Sequence, residues 1–225
     1  MSDLALVTGA RGFVGARVIE AVARRNLPIA AVSRAPGGEG LVGVRKIVCD
    51  LTQPSELSAL IADVRPTHLI HCAWGMEHGA YWESPENILW RDVSEELFIR
   101  FFEGGGRNAI GVGTCAEYDW GEKGSGSWSE EREINPQTLY GRTKADLARK
   151  LMAHAEDSNA RAVWARLFFL FGPVEDPRRL TPSIVNALDA GQRPTLENPN
   201  AIRDFCSTWR AGEALAQLAL SQKAA

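Results

Sequence analysis

The chain has 225 residues, 45% of them hydrophobic and 24% charged, with a formal net charge of −3, which is enough apolar matter for one or two globular units. The slightly acidic balance leaves no electrostatic surplus for a phosphate backbone or an anionic lipid surface, so neither nucleic acid nor membrane is an expected partner. No apolar run nears the ~20 residues that span a bilayer, and no basic stretch precedes an apolar core at the start, so the expected location is the cytoplasm.

In chain order, residues 4–8 are a short apolar run, 13–25 carry Val14, Val18 and Val22 at helical spacing, and 28–33 are apolar again: strand, helix, strand. The alternation continues with a strand at 45–49, a helix at 54–63, and a strand at 67–73 flanked almost entirely by apolar residues, as in parallel sheets buried on both faces. Leu89, Val93, Leu97 and Phe101 recur at every fourth position along a long helix that Gly104, Gly105 and Gly106 end through a left-handed cap. A fifth strand follows at 108–113, then a Gly, Ser and acid-rich loop at 118–135 that could cover a site, a helix at 138–155, and a sixth strand at 162–171. Beyond residue 176 the pattern loosens into a helix at 181–190, a short piece at 202–206 and a last helix at 211–220. This order predicts an α/β doubly wound parallel sheet (Rossmann fold) at 1–172, with a small, apparently truncated substrate lobe at 173–225 intertwined with it.

Cys49, Cys72, Cys115 and Cys206 lie far apart and read as reduced core residues. His68, His71, His78 and His154 form no cluster at ligand spacing, so no metal is expected.

Sheets of this kind bind ligands beyond the C-terminal ends of their strands. After the first strand comes Gly9-Ala10-Arg11-Gly12-Phe13-Val14-Gly15, opening directly into a helix. Gly9 permits a tight turn, Gly12, Phe13 and Val14 bring backbone to a pyrophosphate at the helix N-terminus, and Gly15 lets helix and strand approach closely. At the end of the second strand, where an acid would accept from an adenosine 2′-hydroxyl, stand Ser33 and Arg34, with Arg11 as a second cation. These suit a 2′-phosphate, so NADP(H) is favoured over NAD(H); solvated surface arginines are the plainer alternative. Asp50-Leu51, after the third strand, is placed either to accept from an adenine amino group or to make an Asx turn. Tyr140 and Lys144 stand four apart on one helix face. A neighbouring cation stabilises phenolate, so the pair is expected to draw the Tyr140 pKa down toward working pH for general acid/base chemistry.

With these residues the chain resembles an extended short-chain dehydrogenase/reductase of the NAD-dependent epimerase/dehydratase family over nearly its whole length. His71-Cys72-Ala73, followed by Trp74, fall where that family has a small-residue turn beside the nicotinamide ribose. Asn87 matches a substrate-side Asn, Thr114 the hydroxyl residue that holds the substrate oxygen, and Arg203, in Arg203-Asp204-Phe205, an arginine that meets a diphosphate. The resemblance implies that Lys144 also holds the nicotinamide ribose, that Tyr140 exchanges the proton, and that the partner is a nucleotide sugar. A homodimer through the helices bearing Leu89/Phe101 and Leu147/Leu151 is compatible with it, as is packing of those faces on the sheet. Trp74, Tyr81, Trp82 and Trp90 are expected mostly in the core, with stacking on a sugar or base as the alternative.

The chain departs from the family in three places. Cys115 and Ala116 occupy the positions of the Asp-Glu pair that drives dehydration, with Glu117 one residue farther on. Cys115, next to Thr114, would face away from the site in an extended chain. Phe169 stands where relatives carry a phosphate-contacting Asn, and relatives continue past the last helix. The expected function is therefore NADP(H)-linked reduction of a keto group on a nucleoside-diphosphate deoxysugar. The alternatives are nucleotide-sugar 4-epimerisation and a catalytically silent nucleotide-binding module.

Overall fold

Apolar side chains alternate across the central strands, and this decides the layering. Leu6, Ala30, Val32, Leu69 and Ala109 face one core, while Ala5, Val7, Ile29, Ala31, Ile70 and Ile110 face the other. The computed structural model describes residues 3–37, 43–75, 79–121, 128–196 and 198–221. His78 and the middle of the 118–135 loop lie outside the described residues.

The elements run β1 (Ala5–Thr8), α1 (Gly15–Ala23), β2 (Ile29–Ser33), β3 (Val44–Val48), α2 (Pro54–Val64), β4 (His68–His71), α3 (Glu86–Glu103) and β5 (Asn108–Thr114), then a single 3₁₀ turn (Cys115–Glu117). They continue with α4 (Leu139–Asp157), β6 (Arg161–Leu167), β7 (Phe169–Phe171), α5 (Leu180–Asp189), β8 (Phe205–Ser207) and α6 (Thr208–Leu220). Six strands pair in parallel in the order β3-β2-β1-β4-β5-β6. Strand order reverses between β1 and β4, so the crevice at their C-terminal ends is the natural ligand site. α2, α3 and α4 contribute to the first core and α1 and α6 to the second.

Three sequence expectations change. The single strand expected at 162–171 is two: β6 keeps β5 as partner as far as Thr114↔Leu167, where β5 ends. Beyond that point the backbone finds new acceptors, with Phe169 N–H donating to Asp204 O (3.2 Å) and β7 pairing with β8 as a separate two-stranded sheet.

The buried stripe of α3 is Asn87, Trp90, Ser94, Leu97, Phe98, Phe101 and Phe102, and Leu89 is exposed. Residues spaced by four drift around a helix of 3.6 residues per turn, so Leu89 and Phe101 end about 120° apart. Phe101, Leu147 and Leu151 are buried within the chain, leaving Leu89 alone of those four on the surface. The Gly cap is as expected, with Gly105 at φ +86° and Gly106 N–H donating to Phe101 O (2.9 Å).

α6 begins three residues earlier than its apolar pattern because the Ser207 hydroxyl accepts from Arg210 N–H. It lies against α1, where Gly212 meets the Arg17 backbone and Glu213 pairs with Arg24 and Arg25. The last helix thus belongs to the layer that covers the sheet, whereas α5 buries none of its residues.

Candidate functional site

Two adjoining cavities of about 360 and 470 Å³ share Gly12, Cys72 and Trp74 and form one groove across the strand ends. The first is lined by Gly9, Arg11, Ser33, Arg34, Leu51 and Ala73, among others. The second brings Phe13, Val14 and Gly15 together with Thr114, Tyr140, Lys144 and Phe169.

The glycine turn is built by close approach. Gly9 sits at φ +67°, and a Cβ there would stand 2.8 Å from the Ala73 nitrogen; a Cβ on Gly15 would collide with the Gly9 carbonyl. Gly12 N–H closes the turn on Gly9 O (2.8 Å). α1 has no side-chain cap, and the N–H groups of Phe13, Val14 and Gly15 meet no acceptor among the described residues. Free donors at a helix N-terminus, with no side chain in the way, fit a dinucleotide pyrophosphate. At the far end Arg11 lies along the loop after β2, its guanidinium donating to Pro36 O (3.0 Å), and Ser33 donates to Ala35 O (2.8 Å).

Beneath the groove a buried chain of hydrogen bonds fixes the turn at 72–74. Ser94 donates to Trp90 O (2.6 Å), so it accepts from His71 Nε2 (2.8 Å). His71 Nδ1 is then the bare nitrogen and accepts from the Thr8 hydroxyl (2.7 Å), which in turn accepts from Ala73 N–H (3.3 Å). Burial, aided by the Lys144 charge, lowers the His71 pKa to about 3, so the imidazole is neutral at working pH.

Thr114 ends β5 and caps the 3₁₀ turn, its hydroxyl accepting from Ala116 N–H (3.2 Å) and lying close enough to Tyr140 to favour its phenolate. Glu117, fully buried, accepts from Thr114 N–H (2.7 Å), Trp164 Nε1 (2.9 Å) and Arg166 Nε (2.8 Å). The carboxylate near the dehydratase position therefore supports the floor and does not line the groove. Cys115 does line it, contrary to the expectation for an extended chain, because the 3₁₀ turn begins there. Burial raises its thiol pKa to about 11, opposed by a Thr114 hydrogen bond.

Tyr140 and Lys144 share the cavity, but the electrostatics reverse the expectation. Lys144 Nζ donates to Val112 O (2.9 Å) and sits 3.7 Å from the centre of the Trp74 ring. Burial draws its pKa down to about 7, against the opposing pull of Glu117 and Cys72. Tyr140 stands edge-on to Trp74, Tyr81 and Trp82 at 6.2, 5.1 and 5.9 Å. Burial in this box, reinforced by Tyr81, pushes the phenol above its ordinary value, with the Thr114 hydroxyl opposing. In the free protein Tyr140 is thus firmly protonated, a donor in waiting.

Three residues expected at the ligands line neither cavity. Asp50 makes an Asx turn, accepting from Thr52 N–H (3.0 Å) and the Thr52 hydroxyl (2.7 Å), which hold its pKa low. Asn87 is buried; it accepts from Trp74 Nε1 (2.9 Å) and donates to Tyr81 O (2.6 Å) and Ser84 O (2.9 Å). Arg203 stacks on Trp120 and Phe169 (5.6 and 5.5 Å), and the guanidinium that lines the cavity is Arg179. No sequence signal marked Arg179, which reaches the groove only through the return of the chain after β7. Of the Trp-rich stretch only Trp90 is buried in the core, where it also borders the first cavity; Trp74, Tyr81 and Trp82 form the wall of the second.

A parallel sheet with a bare helix N-terminus at its switch point, and a Thr-Tyr-Lys set beside it, defines a dinucleotide-binding α/β enzyme of the short-chain dehydrogenase/reductase kind. Residues 5–218 match the model of the NAD dependent epimerase/dehydratase family, and the chain belongs to it. Among solved structures it is similar to WbmG of Bordetella bronchiseptica in complex with NAD (22% identity, TM-score 0.80, covering 99% of this chain and 70% of that one). It also resembles the UDP-glucose 4-epimerase of Thermus thermophilus with NAD (22%, TM-score 0.78, 98% and 76%). A third is the UDP-N-acetylglucosamine 4-epimerase of Methanobrevibacter ruminantium (22%, TM-score 0.83, 100% and 75%).

Proposed function

We propose that the chain carries out nicotinamide-dinucleotide-linked hydride exchange at a carbinol or keto carbon of a nucleoside-diphosphate sugar. The observation that carries this reading is that Thr114, Tyr140 and Lys144 open into the same cavity as the bare N–H groups of the glycine turn. When bound, the nicotinamide ring supplies or takes the hydride. Thr114 and Tyr140 hold the substrate oxygen between two hydroxyls, and Tyr140 gives its proton to that oxygen in the reductive direction or takes it in the oxidative one. Lys144, on the same helix face, is suited to the ribose hydroxyls, its pKa drawn down by burial.

A phenol held protonated by burial suits proton donation, which supports ketoreduction. The likeness to two 4-epimerases, one of them solved with NAD, supports epimerisation through a transient ketone at least as well. Cofactor choice divides along the same line: Arg11, Ser33 and Arg34 around the first cavity favour a 2′-phosphate, hence NADP(H), while the NAD complexes of the similar structures favour NAD(H).

Parallel titrations with NADPH and NADH, followed by assays on 4-keto and 4-hydroxy nucleotide sugars, test the reading. A reductase consumes NADPH mole for mole, and an epimerase interconverts sugars with no net cofactor change. In either case Tyr140→Phe is expected to abolish turnover while retaining dinucleotide binding. Normal turnover by that variant refutes the mechanism, and binding without any turnover leaves only a nucleotide-binding module.

A further inference from the structure

The wall of the catalytic cavity carries a second phenol that makes no hydrogen bond among the described residues. Tyr81 lines the same cavity as Thr114, Cys115, Tyr140 and Arg179, and is half-buried. Its hydroxyl is near enough to Arg179, Cys115 and Tyr140 to interact with them electrostatically. Burial keeps this phenol protonated as well, with a pKa of about 12. A hydroxyl that faces the cavity with its donor uncommitted is available to a bound ligand.

The segment bearing Tyr81 is firmly anchored. The Tyr81 carbonyl accepts from Asn87 Nδ2 (2.6 Å), so the buried amide expected at the substrate acts one step back, on the residue that faces the cavity. Trp82 O accepts from Tyr140 N–H (3.0 Å), Glu83 accepts from Leu139 N–H (3.2 Å), and Glu83 also pairs with Arg142 (3.6 Å). These contacts dock residues 81–83 on the first turn of α4, so the two phenols are held in a fixed relation, rings 5.1 Å apart and nearly perpendicular.

We infer that Tyr81 is a substrate-contacting residue that hydrogen bonds a sugar hydroxyl next to the reacting carbon, so that the pocket selects a hydroxylated ring at that position. The inference rests on the reading of the site as a nucleotide-sugar site and adds which side chain distinguishes the sugar from its bare nucleotide. Trp74, Tyr81, Trp82 and Phe169 around it supply the apolar faces on which a pyranose ring can rest.

The test uses the dinucleotide-saturated chain and calorimetric binding of UDP-glucose, dTDP-glucose and GDP-mannose, each against its free nucleoside diphosphate. In the wild type the sugar adds affinity to at least one of the three. In Tyr81→Phe, which keeps the ring against Tyr140, that increment is expected to fall about tenfold, the loss of one hydrogen bond, with diphosphate and dinucleotide affinity and the melting temperature unchanged. A merely structural role would instead lower the melting temperature and weaken all three affinities together, and this result overturns the inference. So does a variant that keeps the full sugar increment. If the wild type binds no nucleotide sugar, the reading of the site itself fails and Tyr81 loses its ligand with it, an outcome distinct from a variant that matches an active wild type.

Discussion

Lys144→Met is expected to stabilise the free protein by an amount that shrinks as pH rises. Lys144 is buried, and its pKa falls from the ordinary 10.5 to about 7. Between those values the unfolded chain binds a proton that the folded chain has shed, so raising the pH favours folding across that window. Below about 7 the desolvation cost is present in full. At about 1.4 kcal/mol per pKa unit, the cost is about 5 kcal/mol at pH 6 and about 2 kcal/mol at pH 9. Methionine has nearly the same length and no charge to desolvate, but it forfeits the Val112 hydrogen bond and the Trp74 contact, which reduces the gain at every pH. The informative quantity is therefore the change in the gap between variant and wild type: a narrowing of about 3 kcal/mol from pH 6 to pH 9, or about 6–12 °C in melting temperature for a chain of this size. Thermal melts of both proteins without dinucleotide at pH 6, 7.5 and 9 measure it. A gap that stays constant with pH would mean that Lys144 keeps its charge throughout, and the desolvation argument fails. The variant is also expected to be inactive, since stability here is traded for a positioned ammonium.

Other consequences are as direct. Glu117→Gln leaves Arg166 without its carboxylate partner and sets an amide among three donors, so a loss of about 3 kcal/mol, seen as a fall of about 6–12 °C in melting temperature, is expected; a shift below about 1 °C would show that the carboxylate does not hold the floor. Gly15→Ala forces a methyl group into the Gly9 carbonyl, so dinucleotide affinity by fluorescence titration should fall at least about tenfold while far-UV circular dichroism reports a folded chain. Gly12→Ala, whose Cβ would stand 3.1 Å from the same oxygen, should be milder, and equal effects of the two would contradict the packing account.

Much of the fold is legible in the chain because it rests on local patterns. Apolar runs of four to seven residues separated by amphipathic stretches give the β/α alternation. Gly9, Gly12 and Gly15 mark the first turn because only glycine tolerates so close a backbone approach, and Tyr140 and Lys144 share a helix face by spacing alone. Even the α3 stripe was nearly readable, missed only because a repeat of four drifts around a helix of 3.6 residues per turn.

What depends on the third dimension was out of reach. The sequence by itself determined the doubly wound class and the glycine turn and put Tyr140 and Lys144 on one helix face, since each follows from periodicity or from spacing within one element; Thr114 is marked only by the family resemblance. Only the tertiary structure decided that 162–171 splits where β5 runs out of hydrogen-bonding partners, that Cys115 turns into the cavity, and that Arg179 rather than Arg203 lines it. It also decided the charge states. Spacing put a cation near Tyr140, but Val112 and Trp74 hold that ammonium and the aromatic box around Tyr140 raises the phenol pKa, because desolvation depends on every neighbour packed around a group and no one-dimensional pattern counts them.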